Sequence, residues 1–97
     1  MRTYYFHLRR NGKVLLDTDG TMFASPDEAC RAGVFEAREV IIRILKTADA
    51  VPFNDGIEIA DENGIVFHTV TFEDAMRNPS PGRAYPSSLH KPRRIAA

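Results

Sequence analysis

The chain holds one cysteine, Cys30, no tryptophan, and no net charge, its thirteen Lys/Arg balancing thirteen Asp/Glu. A lone cysteine excludes an intrachain disulfide and fits a reducing compartment, so stability must come from a core, a metal or association. Long apolar runs are missing too. The N-terminal Tyr4-Tyr5-Phe6 is too short for a signal peptide, and no segment approaches the ~20 apolar residues of a membrane span. The expectation is a cytoplasmic protein without membrane contact. Histidine is scarce: His7, His68 and His90 stand apart, with none of the close spacings of a ligand pair, so no metal and no other cofactor is expected. Gly-rich phosphate loops, Ser-His-Asp patterns and paired-carboxylate motifs are absent as well, and the chain reads as a non-enzyme.

What is present fits one small domain: 97 residues, 43% hydrophobic and 27% charged. The charge is unevenly placed. Residues 1–76 carry eight Lys/Arg and all thirteen acids, whereas residues 77–97 carry Arg77, Arg83, Lys91, Arg93 and Arg94 with no acid. Residues 1–76 therefore read as a compact acidic domain. Residues 77–97 read as a flexible basic tail rich in Pro and Ser, without apolar periodicity.

Residues 3–9 alternate, with Tyr4, Phe6 and Leu8 on one side and Thr3, Tyr5, His7 and Arg9 on the other, the period of a half-buried strand. Asn11-Gly12 followed by Val14-Leu15-Leu16 predicts a hairpin. A three-residue bulged loop pairs Leu8 with Val14 and Phe6 with Leu16, keeping apolar groups on one face, and is preferred to a two-residue loop that sets Phe6 opposite Asp17. Asp17-Thr18-Asp19-Gly20 reads as a turn. Its likeness to a calcium loop fails because the glycine comes too early. Ser25-Pro26-Asp27-Glu28 carries an N-cap, a first-turn proline and a capping box, and opens a helix from Pro26 to about Thr47. Cys30, Val34, Ala37, Ile41, Ile44, Leu45 and Ala48 form its expected core stripe, with Ala29, Gly33 and Ala37 as a small-residue edge. Ile57–Ala60 and Ile65–Phe72 give two more strands around Asn63-Gly64, with the same bulged loop and Ile57, Ile59, Ile65 and Phe67 on one face. A short turn of helix is expected near Glu73–Arg77. The fold class is α+β: a two-layer ββαββ domain, a four-stranded sheet packed on one long helix.

The pattern resembles a family of small bacterial proteins, domain-of-unknown-function family 6894. The residues that carry the likeness are Tyr4-Tyr5-Phe6-His7-Leu8, Asp19-Gly20, Pro26-Asp27-Glu28-Ala29, Ala37-Arg38, Ile59-Ala60-Asp61-Glu62-Asn63-Gly64 and Val70-Thr71-Phe72. The resemblance spans about residues 3–75 and implies a compact domain, often a stand-alone protein, with no catalytic or binding residues to carry over. The layout is also similar to the partner-binding half of HicB-type antitoxins, an analogy of arrangement alone.

Function is then sought on surfaces. Cys30, on the core stripe, reads as an inert thiol. The expected outer sheet face shows Tyr5, His7, Arg9, Leu15, Glu58, Ala60, Val66, His68 and Val70, of which Tyr5, Leu15, Val66 and Val70 are too apolar for a plainly solvated face. Phe35 and Ile42 lie off the helix stripe. Tyr5, His7, Leu15, Val66, His68, Val70, Phe35 and Ile42 are the candidate interface, and the expected role is a small protein-interaction or regulatory module that self-associates or binds an unknown protein. The alternative is nucleic-acid binding, with Tyr5, His7 and Arg9 stacking bases and the basic tail holding phosphates.

Overall fold

A computed structural model describes residues 1–47 and 50–77. The expected tail from residue 78 onward, and Ala48 of the expected core stripe, lie outside them. The element order is β1 (Arg2–Arg10), β2 (Lys13–Leu15), β3 (Thr21–Phe23), α1 (Pro26–Thr47), β4 (Gly56–Ala60), β5 (Val66–Thr71) and α2 (Phe72–Arg77). The sheet is antiparallel, ordered β2-β1-β4-β5, with β3 also pairing β1. This is the two-layer α+β domain read from the pattern, with one short strand more than expected. Strand β3 arises because the chain, after leaving β1 at Asp17, rejoins it at Tyr4↔Thr21.

Tyr4, Phe6, Leu8, Ile57, Ile59 and Val70 are buried beneath α1. The helix starts where the sequence placed it. Ser25 Oγ accepts the Glu28 N–H at 3.2 Å, a donor that the helix end leaves orphaned, and Glu28 Oε1 reaches back to accept the Ala24 N–H at 3.1 Å, one residue before the cap. Its buried face is Ala29, Ala32, Gly33, Glu36, Ala37, Val40, Ile41 and Ile44. Relative to the expected stripe this face is turned by roughly 80°, at 100° per residue. Leu45 is 58% exposed, and Cys30 and Val34 are only partly buried. Close approach is the cause. A Cβ on Gly33 would lie 2.7 Å from Ile59 Cδ1, so the small residues form the centre of the contact rather than its edge. The large side chains are left to its flanks.

The first hairpin takes the register that sequence reasoning set aside. Leu8 pairs with Leu15 and Arg10 with Lys13, around a two-residue loop in which Asn11 (φ 55°) and Gly12 (φ 75°) both have positive φ. Apolar pairing does not decide here because β2 is exposed throughout, beyond the reach of α1. Phe6 does come opposite Asp17, and the mismatch is turned to use: Asp17 Oδ2 accepts the Phe6 N–H at 3.0 Å. In the second hairpin the three-residue turn is as expected, with Gly64 left-handed and Asp61 Oδ1 accepting the Asn63 and Ile65 N–H groups. Ala60 pairs with Val66. A bulge then slips the register, so that Ile59 meets His68 and Ile57 meets Val70. Only a bulge lets Phe67 and Val70, three residues apart, both lie on the helix side. Phe67 accordingly sets its ring edge-on to Tyr4 at 5.9 Å.

Candidate interaction surfaces

Directly opposed residues of antiparallel strands share a face, so these registers redistribute the candidate residues. Tyr5, His7 and Val66 lie on the outer face as expected. Leu15, opposite Leu8, His68, opposite Ile59, and Val70, opposite Ile57, lie on the helix side. Val70 is buried in the core and offers no contact surface. His7 and His68 are on opposite faces of strands that β4 separates, so they do not meet. Among the described residues no three His, Cys, Asp or Glu side chains group as metal ligands.

The outer face is consequently more polar than the sequence suggested. Arg9 reaches Glu58 at 3.4 Å and the Asn54 carbonyl at 2.7 Å. The Asp17–Gly20 corner folds over part of this face: a Cβ on Gly20 would lie 2.6 Å from Thr3 and 2.9 Å from the Tyr5 ring, and its φ is +72°. Asp17 organises the corner, taking the Asp19 and Gly20 N–H groups on Oδ1 while its own N–H donates to His7 Nδ1 at 3.0 Å. That bond requires neutral His7 with its proton on Nε2. Burial lowers the His7 pKa, partly offset by the Glu58 charge, so the neutral form is the native one. The Tyr5 and His7 rings stack at 6.3 Å.

Apolar exposure gathers elsewhere. On the helical layer, Phe35 is half-buried beneath the Arg38 guanidinium, 5.9 Å from the ring centroid, and Arg38 Nε donates to the Ala75 carbonyl of α2 at 3.2 Å. Ile42, 53% exposed, therefore stands out more than Phe35. Leu45, expected in the core, is exposed on that same flank of α1, and Met76 of α2 is exposed too. At the sheet edge, Ile65, Val66 and Phe67 are exposed in succession. The bulge was the signal that sequence reading missed: the alternation Ile65, Phe67 breaks before Val70, and only a slip keeps Phe67 and Val70 on the helix side. An open cleft of about 300 Å³ adjoins this edge, lined by Arg2, Tyr4, Pro26, Glu62 and Phe67 among others. Its rim is closed loosely by an Arg2–Glu62 pair at 3.9 Å.

Two titratable groups of α1 are shifted by burial. The Cys30 thiol is raised above its usual value by burial and then by Asp27, which keeps it protonated at neutral pH. Glu36 sits on the contact face of α1. Burial first, then Glu39, pushes its pKa from 4.5 up to about 8, with Arg43 opposing. The folded state thus holds a proton that the unfolded chain releases above pH 4.5. Stability from this group is full below that value and is lost as pH rises toward about 8. Glu36→Gln is expected to flatten this fall and to raise the urea midpoint at pH 8 while changing little at pH 4. Chemical denaturation at the two pH values checks it.

Taken together, the molecule is a two-layer α+β domain, one sheet face covered by a helix, with exposed apolar groups on the helical layer and at both sheet edges. The chain belongs to the domain of unknown function DUF6894, whose family model matches residues 3–73. No curated protein and no solved structure matches it significantly. No helix among the described residues is long and apolar enough to cross a membrane.

Proposed function

We propose that this protein is a non-catalytic, cytoplasmic interaction module that self-associates. The supporting observation is the exposed apolar side chains, with Ile42, Leu45 and Met76 on the helical layer and Val14, Leu15, Leu16, Ile65, Val66 and Phe67 at the two sheet edges. A domain of this size supplies only a modest core of its own, and association is one of the usual supplements. Neighbouring exposed apolar groups mark contact surfaces more often than scattered ones do. Light scattering behind size exclusion is expected to give the mass of a dimer at high concentration. Ile42→Glu separates the helical layer from the edges: the mass falls to that of a monomer if the helical layer is the contact, and stays dimeric if a sheet edge is. A wild type that remains monomeric at high concentration contradicts the reading.

A second reading, nucleic-acid binding, is favoured by the Tyr5–His7 stack on the sheet face away from α1. The adjacent cation, Arg9, is engaged by Glu58 and Asn54, and the domain up to residue 76 is acidic, so the phosphate contacts would fall to the basic tail. Binding of single-stranded oligonucleotides that weakens with salt and with removal of residues 78–97 is its signature.

A further inference from the structure

We infer that the Asp17–Gly20 corner is an acid-released cover over the Tyr5 ring, with His7 as its trigger. This is independent of the self-association reading and concerns how the outer sheet face is uncovered. Asp17 fastens the corner to β1. Its N–H donates to His7 Nδ1 at 3.0 Å, and its Oδ2 accepts the Phe6 N–H at 3.0 Å. Its Oδ1 takes the Asp19 and Gly20 N–H groups at 3.1 and 3.2 Å, which sets the turn. Gly20 is thereby laid against the Tyr5 ring, so closely that a Cβ there would lie 2.9 Å from ring carbon Cε1. Tyr5 is half-buried by this cover, although α1 lies on the other side of the sheet.

Of these bonds, the one to His7 is the one a proton breaks near neutral pH, because carboxylates titrate about two units lower than imidazole. Neutral imidazole has one acceptor nitrogen, and imidazolium has none. Protonation at Nδ1 sets two N–H donors against each other across the 3.0 Å contact. A part-buried N–H that loses its acceptor is unfavourable, so the Asp17 backbone withdraws. Its carboxylate holds Phe6, Asp19 and Gly20, and the corner moves with it.

The charges around His7 set the direction. Glu58 lies opposite it on β4 and favours the imidazolium. That carboxylate is already engaged by Arg9, at 3.4 Å on the same face. The corner adds the Asp17 and Asp19 carboxylates, Tyr5 stacks on the imidazole, and Thr69, next across on β5, is uncharged. His68 and Glu36 lie on the helix side of the sheet. Burial outweighs Glu58, so the closed corner prefers neutral His7. Releasing the corner rehydrates the imidazole and returns it toward its ordinary value of about 6.5. Opening therefore grows as pH falls below about 6.5, by at most tenfold per unit, and levels off once the closed form also takes the proton.

Amide-exchange and nuclear Overhauser measurements on the full chain, from about pH 7.5 to about pH 5, test this. Protection of the Asp17, Asp19 and Gly20 amides, corrected for the intrinsic pH dependence of exchange, is expected to fall several-fold as His7 titrates. The contact between the Gly20 α-protons and the Tyr5 ring is expected to fade in step, while the amides of α1 keep their protection. In His7→Asn the side-chain oxygen stands near the place of Nδ1 and accepts at every pH, so the corner is expected to stay closed throughout. The titration of the unmodified protein carries the test if that variant does not fold. A corner that keeps its protection and its Tyr5 contact while His7 takes up its proton overturns the proposal, since the imidazolium has then re-paired in place. Release at the same pH in His7→Asn also overturns it and makes the corner's own carboxylates the trigger. Loss of α1 protection together with the corner is general unfolding and overturns it too.

Discussion

Gly56→Ala is expected to destabilise the domain by about 3 kcal/mol, the upper range for forcing an extra methyl into a packed site. A Cβ at Gly56 would lie 2.1 Å from the Val70 carbonyl oxygen and 2.7 Å from Thr71 Cα, both backbone atoms of the paired strand. Neither can swing aside, so the Gly56↔Thr71 end of the β4–β5 ladder must open. That end also anchors α2, because the Phe72 N–H donates to the Asp55 carbonyl at 2.8 Å and the Glu73 N–H to the Phe53 carbonyl at 3.2 Å. Gly64→Ala is the control. Gly64 is left-handed at φ 80° but has open space around its Cβ position, so the cost is only backbone strain, roughly 1–2 kcal/mol. Urea titration of the two variants distinguishes them, and equal losses would contradict the close strand approach.

Phe6→Ala is expected to cost about 3–5 kcal/mol, the range for truncating a fully buried aromatic. Phe6 is 1% exposed, opposes Ile59 on β4 and stacks on Phe23 of β3 at 5.8 Å. It therefore joins three strands beneath the helix. Against a total stability of about 5–15 kcal/mol for ordinary domains, and less for small ones, such a loss leaves much of the population unfolded at 37 °C. Tyr5→Ala, one position along on the half-covered face, is expected to cost about 1 kcal/mol. Thermal denaturation monitored by circular dichroism gives both values. A Tyr5 effect equal to that of Phe6 would mean that the wrong face of β1 has been assigned to the core.

The elements were legible because each has a local cause. The alternation of β1, the Ser25 cap and Glu28 box of α1, and the Asn-Gly and Asp-Glu-Asn-Gly turns act within a few residues and need no tertiary partner. The surfaces were less legible, for three physical reasons. Hydrophobicity alone placed Leu45 inside, whereas backbone approach at Gly33 decides the helix rotation. Apolar matching was asked to set the register of β2, although β2 is exposed and a turn with two positive-φ residues sets it instead. Strict alternation carried Val70 and His68 to the outer face, whereas the bulge before His68 turns both inward. Of the candidate contacts, Tyr5, His7, Val66, Phe35 and Ile42 keep their expected faces. Leu15, His68 and Val70 change theirs, and Val70 leaves the surface altogether. Sequence reading located the β5 strand but gave no strand order, and it is the order that makes β5 an edge.

Every surface assigned above depends on which side of α1 meets the sheet. In a methyl-labelled sample, nuclear Overhauser contacts from the Ile59 δ-methyl settle this. Cross-peaks to the Gly33 α-protons, with none to Leu45, are the expected result. Strong cross-peaks to Leu45 and none to Gly33 would turn the helix back to its large-residue stripe and remove the exposed flank.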